Sequence, residues 1–267
     1  MNATPMDYTP LDFSRTPPVP LSRLIGVEIR KMIDTRAGRW LLISTGLVTA
    51  LVLVIQLAVV VTQDLSVDFG DFMVGMNTPM GVFLPVLGIM AVTSEFGQRT
   101  ALVTFTQVPS RLTVYAAKFV ATLGLAAVAV VVGLLLASVA NLLYGVLAGV
   151  APVWGVGVGD VGRYFLLHAI GLATGFGFGT LFLNTAVAIV LYFVYSLVLP
   201  GLLALGAALI SWFGRLQPWI DFNAAQQPLI DGGVSGKDWA HLVVSGLLWL
   251  VLPLVVGLWR VLRAEVK

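Results

Sequence analysis

Residues 94–118 read SEFGQRTALVTFTQVPSRLTVYAAK, a polar island whose only ionised groups are Glu95, Arg99, Arg111 and Lys118. The runs Phe72–Ser94 and Phe119–Gly159 on either side contain no Asp, Glu, Lys or Arg. A segment placed in this way leaves an apolar phase, turns once and re-enters it. Further uncharged runs lie at Trp40–Gln63, Tyr164–Gly214 and Trp239–Trp259. Roughly 20 apolar residues carry a helix across a bilayer. Trp40–Gln63, Phe72–Ser94 and Trp239–Trp259 are close to that length and fit one crossing each. Tyr164–Gly214, the longest run, fits two, separated by the polar break Leu183–Asn184–Thr185. Phe119–Gly159 fits one, because Gly149–Gly159 (GVAPVWGVGVG) has the composition of a loop. Six crossings are expected, at about 40–61, 72–94, 119–148, 162–182, 186–210 and 239–259.

Composition agrees. Hydrophobic residues make up 58% of the chain, charged residues 10%, and the mean hydropathy is +0.97. Soluble domains carry about 25% charged residues. With the N-terminus in the cytoplasm, Arg163, Arg215 and Lys237 fall outside and every other Lys and Arg falls inside. That is the asymmetry of the positive-inside rule, and an even number of crossings returns the C-terminus to the cytoplasm. The basic pI thus reflects orientation rather than nucleic-acid binding. The absence of Cys excludes disulfides and thiolate metal sites. Residues 1–20 hold Pro5, Pro10, Pro17, Pro18 and Pro20 and no apolar stretch. They are expected to form a disordered cytoplasmic tail rather than a cleaved signal.

The expected fold is an all-α polytopic membrane protein with six transmembrane helices. Leu21, Leu24, Ile25, Ile29, Met32 and Ile33 recur at helical spacing among basic residues, which predicts an interfacial amphipathic helix over 21–37. Pro79 and Pro85 interrupt the second crossing and place it inside the bundle, where neighbours satisfy freed carbonyls. Pro200–Gly201 predicts a broken fifth helix, followed by an external re-entrant segment. The glycines of Gly171–Gly179 (GLATGFGFG) predict close helix packing, since no strand or phosphate-binding residue accompanies them. Asp64, Asp68 and Asp71 read as an acidic external loop rather than a metal site.

Within the island, Leu102, Phe105, Val108, Leu112 and Tyr115 form one helical stripe, and Thr100, Thr104, Gln107 and Arg111 another. Two stripes suit a helix packed against a partner. Pro109–Ser110 divides the island, with Ser110 as the N-cap of the next helix. Gln56, Asn77, Asn141, His168 and Asn184 are polar residues in or near crossings, and so are candidates for a substrate pathway or for helix–helix adhesion. No catalytic constellation, cofactor site or metal-ligand set is legible. GGVSGKD (residues 232–238) fails as a phosphate loop because Asp231 and Asp238 stand where Gly and Ser or Thr are needed.

Three motifs lie in a fixed order around these helices. E-x-R-K-x-x-x-T-R (Glu28, Arg30, Lys31, Thr35, Arg36) precedes the first crossing. S-E-F-x-x-x-T (Ser94, Glu95, Phe96, Thr100) follows the second, and V-P-S-R (Val108–Arg111) with A-A-K (Ala116–Lys118) comes third. In this the chain resembles the permease subunits of ABC-2 family ATP-binding-cassette exporters, in topology over 21–267 and in motifs over 28–36 and 94–118. The resemblance implies a second permease, identical or homologous, and two separate ATPase subunits that bind ATP and Mg. It also implies a bacterial inner-membrane location and a coupling helix at 97–110 within the loop 95–118. Glu95, Arg99, Thr100, Leu102, Thr104, Phe105, Gln107, Val108 and Arg111 are its candidate ATPase-coupling residues. A hydrophobic or amphipathic cargo (drug, lipid or peptide) suits the apolar spans. A membrane-embedded transferase and a non-transporting assembly factor are the alternatives.

Overall fold

The computed structural model describes residues 19–98, 100, 104, 106 and 110–263. The proline-rich tail and the candidates Arg99, Leu102, Phe105, Gln107 and Val108 lie outside the described residues. Among those described, the chain is helical, with no strand. Helix α1 (Leu21–Asp34) is followed by six helices long and apolar enough to cross a membrane: α2 (Arg36–Thr62), α3 (Phe69–Gly97), α4 (Arg111–Ala148), α5 (Val158–Phe182), α6 (Thr185–Leu209) and α9 (Gly236–Arg263). Two short helices, α7 (Ser211–Ile220) and α8 (Phe222–Asp231), separate α6 from α9. The protein is built as a multi-pass membrane bundle.

Local chemistry explains the ends of these helices. Thr35 is extended between α1 and α2, and its Oγ1 accepts from the Gly38 N–H at 3.2 Å. Gly38 permits this corner, because a Cβ there would lie 2.0 Å from the Met32 carbonyl oxygen. Asp68 and Asp71 form a reciprocal capping box at the start of α3. Ser110 is the N-cap of α4, accepting from the Thr113 N–H at 3.4 Å, and the helix that carries the third crossing begins at Arg111. In the first turns of α4 Leu112 is exposed and Tyr115 buried.

The two central helices are α3 and α5, which share the largest helix–helix interface. At Gly175 an added Cβ would stand 2.1 Å from the Pro85 carbonyl oxygen, so the backbones of α3 and α5 nearly touch. Gly257 of α9 lies nearly as close to the other side of α5, with a Cβ 2.7 Å from the Leu181 nitrogen. The glycine-rich run thus serves close packing. The helices α2, α4, α6 and α9 turn many Leu and Val side chains outward, as surfaces facing lipid do.

The fifth crossing corrects one expectation. Instead of breaking at Pro200–Gly201, α6 runs on through a π-helical turn at Val194–Val198. The last crossing does the same at Leu247–Val251. In both, a Leu-Pro pair follows the π turn directly, Leu199–Pro200 in one and Leu252–Pro253 in the other. The wider turn loosens the ladder and accommodates a ring with no N–H. The segment α7–α8 folds back against α9. Its turn is held near the middle of that helix, where Trp249 Nε1 donates to the Ile220 carbonyl at 2.8 Å. Asp221, buried in the same turn, caps α8 by accepting from the Ala224 N–H at 3.0 Å.

Candidate functional site

Helix α1 has one buried acid, Glu28, and an amphipathic pattern that lays it across the ends of the crossings. Beneath it four ionised side chains form a closed ring. Lys31 Nζ lies 2.8 Å from Glu28 Oε1 and 2.8 Å from Glu95 Oε1. Lys118 Nζ lies 2.7 Å from Glu28 Oε2 and 2.8 Å from Glu95 Oε1. Each cation thus touches both acids, and the formal charge of the ring is zero. Thr104 Oγ1 also donates to Glu95 Oε1, at 3.3 Å.

Burial is uneven. The side chains of Glu28, Glu95 and Lys118 are 8%, 8% and 3% exposed, whereas Lys31 is 39% exposed at the rim. Charges so deeply withdrawn from water persist only when paired. At Lys31, burial lowers the ammonium pKa, but hydrogen bonds and Coulomb attraction from Glu28 and Glu95 outweigh it and hold the value above the usual lysine range.

The ring ties together segments far apart in sequence. Glu28 and Lys31 come from α1, Glu95 from the last turn of α3 and Lys118 from the first turns of α4. Both ends of the polar-island loop are therefore fastened to α1, and through the Thr35 corner to α2. Beside the ring, a cavity of about 520 Å³ is walled by α1, α3 and α4, including Leu24, Met90 and Val114. Arginines fasten the same end of the bundle. Arg111 Nη1 donates to the Val261 carbonyl near the end of α9, and Arg260 Nη1 donates to the Leu181 carbonyl at 2.8 Å. Guanidinium groups at helix C-termini satisfy carbonyls that lack intrahelical partners.

Of the island candidates within the described residues, Glu95 sits in the ring and Thr104 bonds to it. The Thr100 N–H donates to the Glu95 carbonyl at 3.0 Å. Arg111 is turned toward α9. Glu28, Lys31 and Lys118 stand in the sequence motifs, yet the motifs alone do not assemble them into a site. Their signal is nonetheless present: acidic and basic residues at helix ends, one pair spaced i, i+3, close to the uncharged runs.

The polar residues of the spans divide. Gln56 Nε2 donates to the Asp71 carbonyl at 2.9 Å and joins α2 to α3. Asn141, fully buried, donates from Nδ2 to the Val153 carbonyl at 3.0 Å and pins the loop after α4. Asn184 caps α6 by accepting from the Val187 N–H at 3.1 Å. Asn77 and His168 are different: they line one chamber together, at the end of the bundle opposite α1. A scan against protein-family models finds no match to this chain, and a search of curated proteins finds none either.

Proposed function

We propose that the chain is the transmembrane permease subunit of an ABC-2-type exporter, powered by separate ATPase subunits. The observation that carries this reading is the convergence of the three sequence motifs on one buried charge ring. Glu28 and Lys31 belong to the first motif, Glu95 to the second and Lys118 to the third. A loop fastened at both ends to α1, α3 and α4 passes a push from a docked partner to all three helices at once. A lipid-lying connector needs no such fastening.

In this reading the α1 end faces the cytoplasm of a bacterial inner membrane, with both termini on that side. Residues 97–110 act as the coupling helix, and α7–α8 is the external re-entrant segment. A second permease, identical or homologous, completes the pathway. Two ATPase subunits supply ATP and Mg, and the chain itself performs no chemistry. The cargo is hydrophobic or amphipathic (a drug, lipid or peptide) and moves outward as the ATPases close.

The test replaces Phe105 or Val108 with Asp and reconstitutes the complex with its ATPase. Permease-stimulated ATP hydrolysis is expected to fall at least about tenfold while permease assembly persists, as for loss of an interface anchor. Hydrolysis and transport at wild-type rates in both variants would sink the coupling assignment.

A further inference from the structure

Asn77 on α3 and His168 on α5 are far apart in sequence yet border the same chamber, of about 250 Å³. Helix α8 closes it with Asn223 and Gln226, and α6 supplies Tyr192 and Tyr195. Its lining, among the described residues, contains no Asp, Glu, Lys or Arg. His168 is 3% exposed, and its Nε2 has no hydrogen-bond partner among the described residues. A buried polar atom left unpaired forfeits its hydration with nothing in return, so an arrangement that keeps one calls for a ligand or a water to meet it.

Tyr192 and Tyr195 supply the aromatic side of the chamber, and Tyr195 is backed by a residue of the second π turn. Tyr195 lies in the first and Trp249 in the second, with ring centroids 4.8 Å apart. Tyr192 packs on Tyr195 at 5.9 Å. Single π turns inside α-helices recur at functional sites. Here the first π turn brings Tyr195 to a chamber that also carries amides and an imidazole.

We infer that this chamber binds a neutral polyhydroxyl group about the size of one sugar ring. Carboxamides, and an imidazole in its neutral form, each offer both a donor and an acceptor, which matches hydroxyls that also do both. With no ionised side chain in the lining, a phosphate, carboxylate or ammonium would be desolvated without a partner. The two tyrosines give the lining an apolar side for the C–H groups of a pyranose. The volume falls below the roughly 300–1,000 Å³ of drug-sized sites, which favours a single ring. Two sources share this chemistry, a free sugar and the sugar headgroup of a glycolipid.

Binding to the chain alone requires neither ATP nor a partner, so this inference and the permease reading fail separately. The full chain, kept free of glycoside detergents, is placed in phosphatidylcholine nanodiscs. Radiolabelled glucose is titrated by equilibrium binding. In parallel, nanodiscs carrying a minor fraction of monoglucosyl diacylglycerol are assayed for retained lipid by native mass spectrometry. Saturable retention of either probe is expected, and which probe is retained identifies the source. Asn77→Leu replaces the α3 amide by an apolar group of similar shape, and Gln226→Leu removes an amide from the α8 side. Each is expected to weaken retention at least about tenfold, as loss of a buried hydrogen-bond partner does. Thermal midpoints report whether the variants fold, and Gln226→Leu decides the matter if Asn77→Leu does not. Failure of the wild type to retain either probe, or undiminished retention by a folded Gln226→Leu, overturns the proposal.

Discussion

Lys118 shows how one residue can hold several helices. It is the most buried member of the ring and touches both acids. Lys118→Met removes the charge but keeps much of the volume, leaving two buried carboxylates facing Lys31 alone. Breaking a buried ion pair from one side costs about 3–5 kcal/mol. Thermal or denaturant unfolding in nanodiscs should show a loss of that order. Adding Glu28→Gln should recover part of it, since residues in one network do not act additively. A double variant that is simply the sum of the singles would show that the ring is not one unit. Lys31 sets the pH response. Its pKa is raised on folding, so its contribution is full below the unfolded-state pKa and is lost as pH rises through the folded value. Hydrogen exchange should find α1 protected through neutral pH and released only in the alkaline range above ordinary lysine ionisation. Release near neutrality would remove Lys31 from that role.

At the scale of elements, glycine and proline decide how the helices meet. Gly175→Ala drives a methyl group into the backbone carbonyl of Pro85, which cannot swing aside as a side chain can. Overpacking of this kind costs about 1–3 kcal/mol, and a lowered unfolding midpoint should register it. An unchanged midpoint would mean that α3 and α5 separate easily. Much of this level is legible in the chain itself. Uncharged runs locate the six crossings, and the glycines of Gly171–Gly179 point to close packing. The break expected at Pro200 rests on what proline does to an α-helix. The π turn at Val194–Val198 absorbs that effect, and nothing in the local composition distinguishes a π turn from a break.

Across the whole molecule, the buried charge ring and the uncharged chamber stand at opposite ends. The ring and both ends of the polar island, Glu95 and Lys118, lie at the α1 end, and the uncharged chamber lies at the end covered by α8. The central pair α3 and α5 connects them. Glu95 and Asn77 are both on α3, and His168 is on α5. If a partner moves the loop, the expected route to the chamber is this rigid pair. The coupling variants at Phe105 and Val108 probe the α1 end, and sugar retention probes the other. Because the assays are separate, they show whether the two ends belong to one mechanism.

The amino-acid sequence by itself determined the number of crossings, the presence of the amphipathic helix and the position of the island. These depend on hydropathy and spacing along the chain, which are local quantities. It also marked Asn77 and His168 as unusual, because polar groups in apolar runs are costly wherever they end up. Only the tertiary structure decided that Glu95 pairs with Lys31 and Lys118, that Arg111 turns to α9, and that Asn77 and His168 share a chamber while Gln56, Asn141 and Asn184 do not. Pairing of side chains separated by tens of residues depends on which helix faces meet. The island SEFGQRTALVTFTQVPSRLTVYAAK announced its own polarity; the ring that fastens its two ends exists only once α1 folds across them.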